Sequence, residues 1–510
     1  MLRTITAKKV QITHNLAVFE YNLAVNGIFL NRNTKQPHLC YKSRYKQQVV
    51  LYNSCIILYY QSMIDRLLLK DLKKWHTKND RKPLIIRGAR QVGKTTIVKI
   101  FANNFKQHIF LDLEKRKDRE LFEQDLPFEK LLAALFFINK CDPKEKSTII
   151  FIDEIQNSPK AVATLRYFYE EAPDIPVIAA GSLLEVYLEK QKISFPVGRV
   201  ETLYLYPLTF EEYLSSVDHP SALNAFNQMP VPDYAYDTLF DYFHEYALIG
   251  GMPEIVSHYQ KYHDLNDVSA LYENLLLSYT DDSAKYARNN TMYQVIRHAI
   301  ETAPLEAGHR IRFQGFGKSS YRSREMGEAL RTLERAMLLY LVYPTTNTEL
   351  PILPDLKKSP RLQFVDTGFI NYFSGIQNDY IGLNDLNSIY RGTITEHIIG
   401  QEILAANRSI KNNPVFWVRE KEGSSAEIDY ILKHKSTLVP VEVKSGKTGT
   451  MKSLHFFIDN SKYNLSIRLF RNKVSISNIQ TPKGKHFKLL NLPYFLGGKL
   501  DEYLRDIDNL

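Results

Sequence analysis

Residues 88–95 read Gly-Ala-Arg-Gln-Val-Gly-Lys-Thr, which matches the pattern G-x-x-x-x-G-K-[ST] at every fixed position. An apolar run at 83–86 precedes the loop and predicts a short buried strand, and a helix-like run at 95–102 follows it. Such a loop cradles phosphate, because free backbone N–H groups and the positive end of the helix dipole point at the anion. The glycines at 88 and 93 permit backbone conformations that a Cβ would forbid. The segment therefore predicts an α/β fold with a phosphate site.

The loop predicts ATP as ligand and Mg²⁺ as its companion ion. Lys94 is expected to reach the β- and γ-phosphates, and the Thr95 hydroxyl is expected to ligate Mg²⁺. The residues expected to contact the nucleotide are Gly88, Ala89, Arg90, Gln91, Val92, Gly93, Lys94, Thr95 and Thr96.

A second motif supports hydrolysis as well as binding. Residues 147–154 form an apolar β-type run that ends in Asp153 and Glu154. A buried parallel strand of this kind presents its carboxyl end to the ligand. Asp153 is placed to hold Mg²⁺ through water, and Glu154 is placed to orient and polarise the attacking water. The two motifs together predict a nucleoside triphosphatase.

The net charge of +10 says little about partners once its distribution is counted. Residues 1–62 hold eight Lys or Arg and one acid, a balance of +7, so the other 448 residues carry 58 bases and 55 acids, a balance of +3. Three cysteines without C-x-x-C spacing favour a reducing, cytoplasmic location. No apolar run reaches the roughly 18–20 residues that a membrane span needs, so no membrane partner is expected.

Residues 1–62 fit poorly with the rest, since they are basic, almost free of acids and without clear periodicity. An amphipathic helix pattern begins at Met63. We hypothesise that the native protein starts at Met63 and that residues 1–62 are upstream sequence or a poorly ordered extension. A genuine small N-terminal element is the alternative.

The remaining chain divides into four predicted regions. Strand candidates at 84–87, 108–113, 148–152, 176–180 and 201–206 alternate with helical runs such as 118–135 and 161–171, which predicts a parallel sheet over 63–207. Helical spacing over 208–290 predicts a helical lid or connector. Residues 291–350 predict a winged helix, and residues 351–510 a second α/β domain with strand candidates at 361–365, 415–419, 428–432, 438–443 and 465–468.

The predicted winged helix has two interpretations. Lys318, Arg322 and Arg324 would supply phosphate contacts at the start of its second helix if the unit binds DNA. Alternatively, the unit is a protein spacer with a solvated basic turn, because three bases in a turn are common.

A set of acids marks the C-terminal region. Glu396 lies on a predicted helix at 395–407, Asp429 on one strand, and Glu442 and Lys444 on the next, where residues i and i+2 share a face. Two carboxylates and a lysine at one strand end can hold Mg²⁺ and activate water for phosphodiester cleavage, with Glu396 as a third ligand. The order resembles the PD-(D/E)xK nuclease fold. Alternating charges on an exposed strand are the simpler explanation of Glu442-Val-Lys444 alone.

Two further polar residues are candidates for the triphosphatase reaction. Ser182 follows the strand at 176–180 and would sense the γ-phosphate or the water, unless it only caps the strand. Arg199 would serve as an arginine finger, in its own subunit or across the interface of a homo-oligomer, unless it is an ordinary surface arginine.

Several of these segments together resemble a prokaryotic AAA-type ATPase family that carries a C-terminal domain of unknown function. The segments are 87–96, 151–156, 180–182, 198–199, 206–210 and 250–253, with 365–368 and 442–446 matching the second domain. The resemblance covers about 63–446, and Met63-Ile-Asp-Arg66 matches the usual start. It implies ATP binding, hydrolysis and a nuclease-like tail, but no clear physiological role.

We therefore expect a Mg²⁺-dependent ATPase whose nucleotide state at Lys94, Thr95, Asp153 and Glu154 controls a nuclease-like domain on DNA or another nucleic acid. In a second hypothesis the protein is an ATP-gated binding or signalling module with a catalytically inactive C-terminal domain. In a third, nuclease chemistry is the main output and ATP regulates it.

Overall fold

The computed structural model describes residues 48–52, 55–59, 64–182, 184, 195–376, 393–408, 414–419, 426–444 and 451–507. The chain separates into two compact units, Met1–Met63 and Ile64–Leu510. Within the first, β1 (Gln48–Tyr52) and β2 (Cys55–Tyr59) form an antiparallel pair in which Val50 lies opposite Ile57. Our hypothesis on residues 1–62, and the proposed start at Met63, fall largely outside the described residues.

The second unit begins with a helix and a five-stranded sheet. The strands lie in the order β4-β5-β6-β3-β7, and every pair is parallel. This confirms the parallel α/β sheet that the sequence predicted. The elements are α1 (Leu68–His76), β3 (Leu84–Arg87), α2 (Lys94–Ala102), β4 (Gln107–Asp112), α3 (Arg116–Glu123), α4 (Phe128–Ile138), β5 (Thr148–Asp153), α5 (Pro159–Glu171), β6 (Val177–Gly181) and β7 (Glu201–Tyr204).

Helices cover both faces of this sheet, which explains why its central strands β3, β5 and β6 are largely apolar. Along β3, Ile86 packs into one core with helix α2, whereas Ile85 packs into the other core with helix α5. Successive residues along a strand point to opposite faces of the sheet. A strand that is buried on both faces is therefore apolar at nearly every position. The predicted helix at 118–135 is wrong in one detail: Pro127 separates α3 from α4, because proline lacks the N–H that a helix interior needs.

From 210 to 286 the described chain is helical. The helices are α6 (Phe210–Leu214), α7 (Pro220–Phe226), α8 (Tyr236–Ile249), α9 (Pro253–Tyr262) and α10 (Leu265–Tyr286). Two further helices follow, α11 (Asn290–Glu306) and α12 (Ser323–Arg335), then β8 (Leu339–Val342) and β9 (Pro344–Thr345).

The strand at 361–365 lies elsewhere than we expected. Residues Arg361–Phe364 (β10) pair antiparallel with β8, so they complete the unit built on α11 and α12. β9 instead pairs with the C-terminal sheet, and the two sheets therefore interlock across 339–364. A boundary at 350 does not separate these units, because sequence periodicity carries no information about which strand is the partner.

The C-terminal region contains a seven-stranded mixed sheet in the order β15-β16-β14-β13-β12-β11-β9. β11, β12 and β13 form an antiparallel meander, and β14 returns parallel to β13. The elements are α13 (Thr367–Phe373), α14 (Thr393–Ala406), β11 (Val415–Val418), β12 (Glu427–His434), β13 (Thr437–Val443), α15 (Lys452–Asp459), β14 (Leu465–Phe470), β15 (Ser475–Gln480), β16 (His486–Pro493) and α16 (Leu500–Arg505). None of the helices in the described segments is both long and apolar enough to cross a bilayer.

Candidate functional site

The carboxyl ends of β3, β5 and β6 meet at one edge of the parallel sheet. β3 leads into the loop at 88–93 and helix α2, β5 ends at Asp153, and β6 lies between them and ends at Gly181. The loop can close only because Gly93 adopts φ 93°, a left-handed conformation that costs glycine nothing. Helix α2 then begins at Lys94, with its N-terminus directed at the loop.

Lys94 is buried beneath the loop. Its Nζ donates to the carbonyl oxygens of Gly88 and Ala89, at 2.9 and 2.8 Å. Burial lowers the pKa of this lysine to about 8, and the nearby carboxylates of Glu154 and Asp153 partly offset the effect. A bound phosphate would further stabilise the charged form, since an anion close to a buried ammonium raises its pKa.

Thr95 and Asp153 meet where a magnesium ion is expected. The Thr95 hydroxyl donates to Asp153 Oδ2 at 2.6 Å, and the Glu154 amide donates to Asp153 Oδ1 at 3.0 Å. Burial raises the pKa of Asp153, while these two hydrogen bonds lower it. A hydroxyl and a carboxylate in contact are hard oxygen ligands of the kind Mg²⁺ prefers, so the residues present fit this ion.

Glu154 leaves the strand in a left-handed conformation, with φ 51° and ψ 44°. This conformation is uncommon outside glycine and is often found at functional sites. It turns the chain into a 3₁₀ turn over Ile155–Asn157, and Gln156 Nε2 donates to Glu154 Oε2. Gln156 was missed as a site residue, although its position two residues after Glu154 was visible in the sequence.

A small depression opens beside the loop and brings several of these groups together. Its lining includes predicted residues, namely Arg90, Glu154 and Ser182, as well as Asp282 of helix α10. Arg90 Nη1 is paired with Asp282 Oδ2, and the Tyr279 hydroxyl donates to the Arg90 carbonyl at 3.0 Å. These contacts could not be predicted from sequence, because α10 lies almost 200 residues further along the chain. The remaining lining residues are Glu114, Gln156, Asn157 and Lys285.

The loop is also braced from below by Arg66. Its guanidinium donates to the carbonyls of Val92 at 2.9 Å and Tyr206 at 2.7 Å, and it pairs with Glu212 at 3.1 Å. Each of the three guanidinium nitrogens of this buried arginine thus donates a hydrogen bond. Such a residue fixes the position of the backbone that it contacts.

The described contacts of Arg199 do not involve the residues around the phosphate loop. Its Nε pairs with Glu170 at 3.0 Å, and nearly half of the side chain is exposed. The same Glu170 also accepts from Arg166. Action across a subunit interface stays a prediction.

The C-terminal acids converge at the ends of β12 and β13. The Val443 amide donates to Asp429 Oδ2 at 2.7 Å, and Lys444 Nζ pairs with Glu442 Oε1. Burial and the adjacent charge of Asp429 raise the pKa values of both Glu396 and Glu442. We call Glu396, Asp429 and Glu442 the C-terminal acid cluster.

An arginine that sequence reasoning missed faces this cluster. Arg361 of β10 is buried, pairs with Glu427, and lies 4.0 Å from Asp429 Oδ1. Its guanidinium also stacks over the ring of Phe416, 4.7 Å from the centroid. In the described part of the chain, no three His, Cys, Asp or Glu side chains are arranged as a metal-ligand group. The predicted metal role of the C-terminal acid cluster stays a prediction.

Comparison with known families matches three segments of the chain. Residues 80–214 match an AAA domain, residues 240–380 a domain of unknown function (DUF8612), and residues 391–495 another (DUF4143). No curated protein matches the chain. The segment 80–214 is thus an AAA-type P-loop domain, as the loop and the strand ending at Asp153 predicted.

Among solved structures, the chain is similar to a Walker-type ATPase of Pyrococcus abyssi, at 15% identity and a TM-score of 0.40, over 61% of this chain and 96% of that one. It is also similar to the ORC2 protein of Aeropyrum pernix, in ADPNP and ADP complexes, at 11% identity and a TM-score of 0.25, over 62% and 93%. Neither likeness is close enough to carry the assignment, which rests on the domain match.

Proposed function

We propose that this protein binds ATP with Mg²⁺ at the AAA-type domain and hydrolyses it. One observation carries the proposal: Lys94, Thr95, Asp153 and Glu154 are assembled at a single sheet edge. Lys94 and the loop amides would bind the β- and γ-phosphates, and Thr95 and Asp153 would hold Mg²⁺. When bound, the ion would neutralise negative charge on the phosphate oxygens.

The remaining residues would act on water and on the transferred phosphoryl group. Glu154 would accept a proton as the water oxygen bonds to the γ-phosphorus and the bond to ADP breaks. Ser182, which borders the same depression, would bind the γ-phosphate or the water. ADP and inorganic phosphate are the products.

The test compares ATP turnover and ATP binding in variants with matched controls. Lys94→Ala should abolish turnover, whereas Lys99→Ala, an exposed lysine on the same helix, should leave it unchanged. Glu154→Gln should keep ATP binding and lower turnover about 10²- to 10⁴-fold, since it removes the proton acceptor. Glu171→Gln makes the same change at an exposed position. Full turnover by Glu154→Gln would refute the role of that residue.

We further propose that the nucleotide state is transmitted to the C-terminal domain. Contacts between the two regions support this. Glu402 on α14 accepts from the Phe210 amide at 2.9 Å and from the Tyr246 hydroxyl at 2.8 Å. β7 pairs with β3, the strand that leads into the phosphate loop. At the end of β7, the Tyr204 amide donates to the Arg408 carbonyl at 2.8 Å. Helix α14, which carries Glu396, is thus attached directly to the AAA-type domain.

A nuclease-like role for the C-terminal domain is a second candidate. The element order helix, three-stranded meander, helix and parallel strand, from α14 to β14, supports it, as do the converging acids. Glu442 Oε2 is buried and has no hydrogen-bond partner among the described residues, and a cation bound there would satisfy it. The buried Arg361 opposes it, because its charge already neutralises part of the cluster.

One experiment separates the candidates. Wild type and Glu442→Ala are incubated with DNA and with RNA, in Mg²⁺ or Mn²⁺, with and without ATP, and Glu349→Ala provides an exposed control. Cleavage that is lost in Glu442→Ala alone supports the nuclease. No cleavage under any condition favours an ATP-gated binding module. The exposed Lys318, Arg322 and Arg324 would then be tested for nucleic-acid binding by charge reversal.

A further inference from the structure

Gln156 combines two properties that a purely structural glutamine would not need. Its side chain is only 4% exposed, and its Nε2 donates to Glu154 Oε2. Its other polar atom, Oε1, is buried without a hydrogen-bond partner in the described residues. A buried carbonyl-type oxygen left unpaired is destabilising, so such an atom needs an explanation.

The assignment of the two amide atoms follows from the neighbour. Glu154 is acceptor-only when it is ionised, so the amide NH₂ must face it and Oε1 must point away. The tertiary fold then limits where Oε1 lies. Gly181, the last residue of β6, packs against it so closely that a Cβ at this position would collide with Oε1. Gln156 and Ser182 both line the depression that Glu154 also borders.

We infer that Gln156 is a catalytic residue that orients the attacking water. The inference rests on the proposed ATPase function. A water that attacks the γ-phosphorus has two protons to donate: one goes to the Glu154 carboxylate and the other forms a hydrogen bond to Gln156 Oε1. The bond from Nε2 to Glu154 keeps both acceptors at a fixed separation. Orientation of this kind lowers the barrier without changing ground-state binding of ATP.

The test measures single-turnover hydrolysis and ATP affinity in Gln156→Met, which keeps the side-chain size and removes both polar atoms. We expect hydrolysis about 10- to 100-fold slower with ATP affinity within about twofold of wild type, because only the transition state loses a contact. Gln156→Glu is a second variant that keeps an acceptor but loses the donor to Glu154, and it should also be slow. Gln124→Leu removes an exposed glutamine and serves as control.

A double-mutant cycle distinguishes orientation from stability. In a Glu154→Gln background, Gln156→Met should slow hydrolysis by less than about threefold. The effects of two residues that act on the same water are not additive. Unchanged hydrolysis in Gln156→Met would overturn the inference. So would a loss in that variant that matches a fall in ATP affinity or in thermal stability. If wild type does not exceed Lys94→Ala, the proposed function itself fails, and Gln156 is not the cause.

Discussion

The site formed by Lys94, Thr95, Asp153 and Glu154, here called the P-loop site, has a lysine close to carboxylates, and so does the C-terminal acid cluster. The charges of the two sites are paired differently. In the first, the buried Lys94 donates to two backbone carbonyls, and burial lowers its pKa to about 8. In the second, the partly buried Lys444 pairs with Glu442, the nearby carboxylates raise the pKa of Lys444, and Arg361 adds a buried cation.

The difference teaches which site is prepared for an anion. A lysine held by neutral carbonyls retains most of its charge-pairing capacity, so an incoming phosphate gains the full interaction. Cations that already neutralise carboxylates contribute to the fold instead, because a buried acid without a partner is strongly destabilising. The P-loop site thus depends on its ligand, whereas the C-terminal acid cluster depends on its own chain.

The largest effect that tests this comparison is on stability. Arg361→Met should destabilise the protein by about 3–5 kcal/mol at pH 8, because it leaves Glu427 and Asp429 without their buried cation. Lys94→Met should stay within about 1 kcal/mol of wild type, since its hydrogen bonds are to neutral carbonyls. Denaturant unfolding measures both. Arg331→Met removes an exposed arginine that stacks on Phe313 and should cost less than about 1 kcal/mol.

Equal destabilisation by Arg361→Met and Lys94→Met would remove the distinction between the two sites.

A smaller effect concerns the carboxylate that attaches the two regions. Burial raises the pKa of Glu402 to about 7, so the folded state holds this proton well above the pKa of the unfolded chain. The stability from this group is present at low pH and is lost as pH rises to about 7. Glu402→Gln keeps the acceptor for the Phe210 amide. Its free energy of unfolding relative to wild type should rise by roughly 1–3 kcal/mol as the pH increases from 5 to 8.

Thermal or denaturant unfolding across that pH range gives the measurement, with the exposed Glu273→Gln as control. A constant difference between Glu402→Gln and wild type at every pH would contradict the assigned titration.

The smallest effect is on nucleotide affinity. Because the pKa of Lys94 is about 8 and phosphate favours its charged form, ATP affinity should fall about tenfold from pH 7 to pH 9. Calorimetry at pH 8 in buffers of different ionisation enthalpy should show uptake of about half a proton per ATP bound. Lys99→Met should retain this slope. An affinity that stays flat through pH 8 would show that Lys94 is fully charged without nucleotide.

Much of the P-loop site was predictable because its parts are local in sequence. The loop at 88–95 and the acids at 153–154 each lie at the end of a short apolar strand, and parallel strands place such ends at one edge. The bracing by Arg66 and the pairing of Arg90 with Asp282 were not predictable, since both partners come from distant helices. The C-terminal acids could be paired from strand spacing, but Arg361 could not, because its strand joins a different sheet.

By itself the sequence determined the parallel sheet, the phosphate loop and the identity of the acids at the strand ends. These depend on glycine conformation and hydrophobic periodicity, which act over a few residues. Only the tertiary structure decided which charges neutralise one another, that Gln156 lines the depression beside Glu154, and that α14 is attached to the AAA-type domain. Those outcomes depend on burial and on distances between segments far apart in the chain. Desolvation and charge pairing, rather than local propensity, set them.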